Sequence, residues 1–142
     1  MNADLNCTDT KLHQLVRLIG RHYDAELVKV GLRTTQFWLL TEVLQHGPAR
    51  PCDLAKAMAL EPSTLTRKLK PLVATGWLGF AVGADRRTRS VCITSFGRIK
   101  RAEGLRRWQA AEARVRELLG AENLERLDAV IVQSLKALPA AG

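Results

Sequence analysis

Residues 51–74, PCDLAKAMALEPSTLTRKLKPLVA, hold two helical patterns separated by a break too short to be a loop. Pro51 suits the first turn of a helix, where its missing N–H has no partner to lose, and Leu54, Ala55 and Met58 follow on one side. After Leu60 and Glu61, Pro62 opens a second helix with Leu65, Leu69, Leu72 and Val73 on one face and Ser63, Thr64, Arg67 and Lys68 on the other. A short helix, a tight turn and an amphipathic helix with a basic outer face form the arrangement that lays a helix in the DNA major groove, about 12 Å wide. The hydroxyls of Ser63, Thr64 and Thr66 suit phosphate or base edges, Arg67 offers a fork to guanine O6 and N7, and Lys68 adds a cation. Pro71 would kink a helix interior, but it stands late in the helix, beyond the base-reading turns.

The flanks fit the same plan. From Asp9 to Val30, Leu12, Leu15, Val16, Ile19, Tyr23, Leu27 and Val30 keep helical spacing up to Gly31. Thr34 is expected to cap a second helix that buries Phe37, Leu40 and Leu44 and ends at Gly47-Pro48. After Gly76 the period shortens, and two strands, Trp77–Val82 and Ser90–Thr94, enclose the loop GADRRTR (83–89). Thr94 or Ser95 caps a long fifth helix that Gly120 closes, and a sixth carries Leu124, Leu127, Ile131, Leu135 and Leu138 before Pro139. The expected fold is mainly α with a small β-ribbon.

The chain has 142 residues, 46% of them hydrophobic and 25% charged, a composition of one folded domain rather than a disordered chain. No apolar run is long enough for a membrane span and the N-terminus lacks a signal pattern, so a cytoplasmic location is expected. Cys7, Cys52 and Cys92 are odd in number and widely spaced, which argues against a disulfide framework or a zinc site, and Cys52 and Cys92 read as packing residues. His13, His22 and His46 have no acidic or cysteine cluster at ligand spacing, so no metal or cofactor is expected. No nucleophile elbow, phosphate loop or paired carboxylates points to an enzyme.

Charge is the sharper signal. The net charge is +8, and between Pro62 and Arg101 nine basic residues stand against Asp85 alone, so this window carries the whole surplus. Such confinement marks a polyanion-binding face, whereas a merely solubilising surface intersperses both signs. Arg86, Arg87 and Arg89, three arginines within four residues at a ribbon tip, are not explained by packing; arginine is what narrow minor grooves attract. Asp85 beside them reads either as an orienting partner for a guanidinium or as a plain turn residue.

Residues 32–102, above all STLTRKLKPL, the DRR of the ribbon tip and ITSFG, resemble the MarR-type winged-helix transcriptional regulators, and the flanking helices extend the resemblance over essentially the whole chain. It implies a single domain over 1–142, with a winged-helix DNA-binding core at 32–100 and dimerisation helices at 9–30 and 101–138. It also implies a homodimer on a pseudo-palindromic operator of double-stranded DNA, commonly a repressor, released by a small ligand or by oxidation. The wing arginine that enters the minor groove maps to Arg87, with Asp85 as its orienting partner. One departure is TGWLGF, where relatives place charge; Trp77 and Phe80 are expected to pack this ribbon more tightly.

A core of about 65 residues cannot cover the apolar stripes of the first, fifth and sixth helices, so a twofold dimer is expected to bury them. The resemblance also implies an effector cleft between the dimer helices and the core, lined here from His13, Arg17, Trp38 and Trp108 and suited to a small aromatic carboxylate or phenolate. Taken singly, the two tryptophans read as core aromatics, and His13 and Arg17 as solvated residues. Cys7, just before the first helix, is the candidate for redox sensing. The competing function is a nonspecific architectural DNA-binding protein, against which Ser63 and Thr64 beside Arg67 favour base reading.

Overall fold

The computed structural model describes residues 7–82 and 89–139. Within them run α1 (Thr8–Leu27), a 3-10 turn (Val28–Val30), α2 (Thr34–His46), α3 (Pro51–Ala57), α4 (Pro62–Ala74), β1 (Leu78–Val82), β2 (Arg89–Ile93), α5 (Ser95–Leu119) and α6 (Ala121–Ala137). Asp85, Arg86 and Arg87 lie outside the described residues.

Local chemistry accounts for most of the boundaries. The Cys7 sulfur caps α1 by accepting from the Thr10 N–H, and Gly31 ends the 3-10 turn at a left-handed φ of 75° that a side chain would strain. Thr34 does not cap α2; it is the first helical residue, and the Gln36 side chain reaches back to the Arg33 N–H at 2.9 Å. Thr34 instead donates through both its N–H and its hydroxyl to Asp24 on α1. Pro51 and Pro62 stand in the first turns of α3 and α4, and Pro71 sits in the last turn of α4. Thr94 caps α5 by accepting from the Gly97 N–H at 3.0 Å, while its own N–H and hydroxyl donate to the Trp77 carbonyl.

The antiparallel ribbon pairs Leu78 with Ile93 and Val82 with Arg89. Ala49 adds a further rung by exchanging backbone hydrogen bonds with Val91. This pairing draws the start of α3 against the ribbon, which fixes α4 relative to the wing.

One core serves α2, α3, α4 and the ribbon: Phe37, Leu39, Leu40, Val43, Leu54, Leu65, Leu69, Leu72, Leu78 and Val91 are all buried, with Leu27 and Leu32 closing it from the α1 side. Full burial contributes about 1.5–3 kcal/mol per large apolar side chain. Helix α5 crosses α2 at Gly104, where a Cβ would stand 2.8 Å from both Leu32 Cδ1 and Phe37 Cδ2. Beside this crossing, Trp108 packs between Phe37 and Tyr23, and the Tyr23 hydroxyl donates to Glu112.

Helix α6 buries none of its side chains; Val130, Ile131, Val132, Leu135 and Leu138 are exposed, as are Leu12, Val16 and Leu18 of α1. Cys52, in the first turn of α3, is exposed rather than packed. Among the described residues, no helix is long and apolar enough to cross a membrane.

Candidate nucleic-acid interface

Helix α4 sorts its residues by face. Leu65, Leu69 and Leu72 are buried, which turns Ser63 and Arg67 to solvent with Thr64 and Lys68 half-exposed beside them. Thr66 lies elsewhere: its hydroxyl donates to the Pro62 carbonyl at 3.0 Å, and it lines an apolar hollow toward the wing with Pro51, Leu69, Val73 and Phe80. The structure therefore groups Ser63, Thr64, Arg67 and Lys68, and sets Thr66 on the neighbouring flank.

Of the wing residues, Arg89 is described. It opens β2, is exposed, and its guanidinium stands 5.6 Å from the centroid of the Phe80 ring. Phe80 is 42% exposed, so it does not tighten the ribbon's packing; it forms a platform for Arg89 at the edge of the wing. Trp77 does pack against the core, with Lys100 over its ring.

Not every cation in the basic window faces outward. Lys100 donates to the Val30 carbonyl at 3.0 Å and pairs with Glu103 at 2.9 Å. Arg101 donates to the Thr41 hydroxyl and lies over the Phe37 ring. These two hold α5 to the core, and among the described residues the outward charge rests on Arg67, Lys68, Lys70, Arg89 and Arg98. Sequence reasoning passed over Arg33, which with Arg67 and Lys68 lines an open hollow between α2 and α4. A basic residue just before the helix start at Thr34 was the available signal.

The four candidate effector residues do not share one site. Arg17 and Trp38 line an open hollow of about 990 Å³ between α1 and α2, together with Arg21, Asp24 and Arg33. Trp38 and Trp108 line a smaller one of about 180 Å³ against α5, with Arg101 and Glu42. Trp38 joins the two and is 52% exposed, not a core aromatic. His13 lines neither hollow; its ring is exposed and hydrogen-bonded to Asp9 at 2.8 Å. Cys7 is exposed, and hydrogen bonding from the Thr10 side chain, then from its backbone N–H, holds the thiol below its ordinary value.

With this geometry in place, the sequence pattern of the MarR family matches residues 32–81, the stretch from α2 through β1. Over that stretch the chain is similar to the MarR family. This is a family of transcription regulators and not of enzymes, and its winged helix-turn-helix flanked by terminal helices is the architecture found here. A curated relative, the uncharacterised HTH-type transcriptional regulator YwoH of Bacillus subtilis (strain 168), is 29% identical over 84 residues, 59% of this chain and 61% of that protein. The match thus covers less than two thirds of the relative's length.

Solved structures match more of the chain. The M. tuberculosis regulator MosR in complex with DNA is 27% identical, with a TM-score of 0.77 over 93% of this chain and 98% of that one. The repressor CouR bound to a 23-mer duplex has a TM-score of 0.86 at 19% identity, covering 95% and 96% of the two chains. A mutant E. coli MarR with operator DNA has a TM-score of 0.82 at 22% identity, covering 96% and 95%. At the identities of the last two, the likeness speaks for the fold.

Proposed function

We propose that this protein is a MarR-type regulator: a dimeric, sequence-specific DNA-binding transcription regulator that represses from a pseudo-palindromic operator and is released by a small aromatic carboxylate or phenolate. The observation that carries the DNA reading is the outer face of α4, where Ser63, Thr64, Arg67 and Lys68 are grouped opposite the buried leucines. Three relatives of this fold were solved on DNA, which supports the same use here. The apolar faces of α1 and α6 favour a second copy: two such chains would set their α4 helices about one DNA turn, roughly 34–36 Å, apart.

Each wing would reach the minor groove through Arg87, with Asp85 orienting it and Arg86 and Arg89 near the backbone. For the effector, support comes from Arg17, Arg21 and Trp38 in the α1–α2 hollow, cations beside an aromatic wall. Arg17→Ala should then leave operator binding intact and abolish release by a carboxylate ligand. Arg67→Ala tests the base-reading role. It should cost about 1–3 kcal/mol on the operator and little on random duplex; equal losses on both would favour the architectural reading.

A second reading, release by oxidation, is favoured by one observation, the hydrogen-bonded, acidified thiol of Cys7 at the start of α1. Unchanged operator affinity after mild peroxide treatment would count against it.

A further inference from the structure

On the flank of α4 away from the wing, Arg33, Arg67 and Lys68 line one open hollow of about 420 Å³, whose wall is completed by Thr35, Gln36, Leu39 and Pro71. No carboxylate lines it. Elsewhere on the surface Lys29, Arg50, Lys100, Arg107 and Arg114 each stand within ion-pair distance of an Asp or Glu. Arg33, Arg67 and Lys68 have no such partner among the described residues. Three cations gathered around one concavity repel one another, and a bound anion is what relieves that repulsion.

Position selects the anion. Ser63, Thr64 and Arg67 occupy the outer face of α4, and a helix whose outer face meets base edges has the sugar-phosphate walls of the groove along its flanks. Lys68 is on that flank, and Arg33 approaches it from α2. We infer that Arg33 and Lys68 together grip one backbone phosphate of the bound DNA, which makes Arg33 a DNA-binding residue outside both the helix-turn-helix and the wing. The inference rests on the DNA-binding reading above. Its contact is blind to sequence: it sets the register of α4 in the groove and contributes equally on every duplex.

The test is equilibrium binding of the full-length protein and its Arg33→Gln variant to operator and to random duplex, at salt concentrations from about 50 to 200 mM. The substitution spares the fold, because the side chain is exposed and the backbone N–H of residue 33, not its guanidinium, meets Gln36. The expected result is the same fold-loss on both duplexes and a log-affinity against log-salt slope smaller by about one. Lys68→Gln should behave alike, and the double variant should lose less than the two single losses combined, since one phosphate is shared. Arg33→Lys should keep the slope. An unchanged slope in Arg33→Gln, or a loss confined to the operator, overturns the inference while leaving DNA binding intact. Failure of the unmodified protein to bind either duplex overturns the DNA reading and the phosphate grip with it.

Discussion

The Asp24 carboxylate on α1 accepts both the backbone N–H and the hydroxyl proton of Thr34, the first residue of α2. Helix α1 is the N-terminal helix and α2 the first helix of the winged-helix core, so this pair, which lines the Arg17–Trp38 hollow, ties one to the other. Because the site is exposed, its worth is at the low end for hydrogen bonds to a charged group. Asp24→Ala should lower stability by about 1 kcal/mol and Thr34→Ala by less, with a double variant that falls short of the sum. Urea midpoints at constant m-value would measure this, and full additivity would mean the two side chains do not communicate.

Gly97 is required by its surroundings. A Cβ there would lie 2.0 Å from the Trp77 carbonyl oxygen and 2.9 Å from Ile93 Cγ1, so Gly97→Ala must push α5 away from the ribbon. The expected cost is about 1–3 kcal/mol or more, whereas Gly20→Ala inside α1, where nothing stands within 4 Å, should stabilise by about 0.5–1 kcal/mol. Thermal unfolding of both variants compares them directly, and equal midpoints would contradict the close approach.

What could be read from the sequence, and what could not, divides on physical lines. The six helices follow from unbroken apolar spacing and from Pro51, Pro62, Gly31 and Gly120 at their ends, signals that need no tertiary partner. The Ala49–Val91 rung leaves no periodic trace, since a single paired residue has no period. Thr34 carries a capping side chain, yet an acceptor ten residues earlier captured its hydroxyl, and Gln36 took over the cap. Lys100 and Arg101 counted toward one basic face, but their long stems turn the charges back onto α2 and the turn after α1. In the candidate site, the α4 face was legible because burial of Leu65, Leu69 and Leu72 dictates what points outward. The hollow that adds Arg33 depends on how α2 approaches α4, which no local pattern encodes.

Tyr23 titrates abnormally. Burial, then the hydrogen bond it donates to Glu112 and the charge of that carboxylate, raises its pKa well above the ordinary value of about 10. Above about pH 10 the unfolded chain loses the phenolic proton while the folded chain keeps it, so the unfolded state binds fewer protons and stability falls as pH rises. Below that pH the contribution is fully present. Stability measured from pH 8 to 11, a range set by the tyrosine pKa of about 10, should decline at the alkaline end in the unmodified protein and decline less in Tyr23→Phe. Tyr23→Phe should also be less stable at neutral pH by about 1–3 kcal/mol, because Glu112 loses its part-buried partner. Parallel pH curves would contradict this role.

Cys7 should be the fastest of the three cysteines to alkylate near neutral pH. Its thiol is exposed and held below the ordinary value by Thr10, whereas Cys92 is half-buried on the ribbon. Thr10→Ala removes the largest of the hydrogen-bonding causes and should slow the reaction of Cys7 while leaving Cys52 unchanged. Mass-resolved alkylation distinguishes the sites, and a Cys7 rate insensitive to Thr10→Ala would contradict the assigned cause.

Selection of genomic fragments by the purified protein at about 0.15 M salt, where nonspecific binding is weak, followed by sequencing of the retained DNA, tests the proposed function most directly. A pseudo-palindrome with half-sites one helical turn apart is the expected result, and it would identify the operator, the twofold dimer and the neighbouring genes together. Retained DNA no richer in any motif than the input would contradict sequence-specific regulation and leave a protein that binds duplex by charge alone.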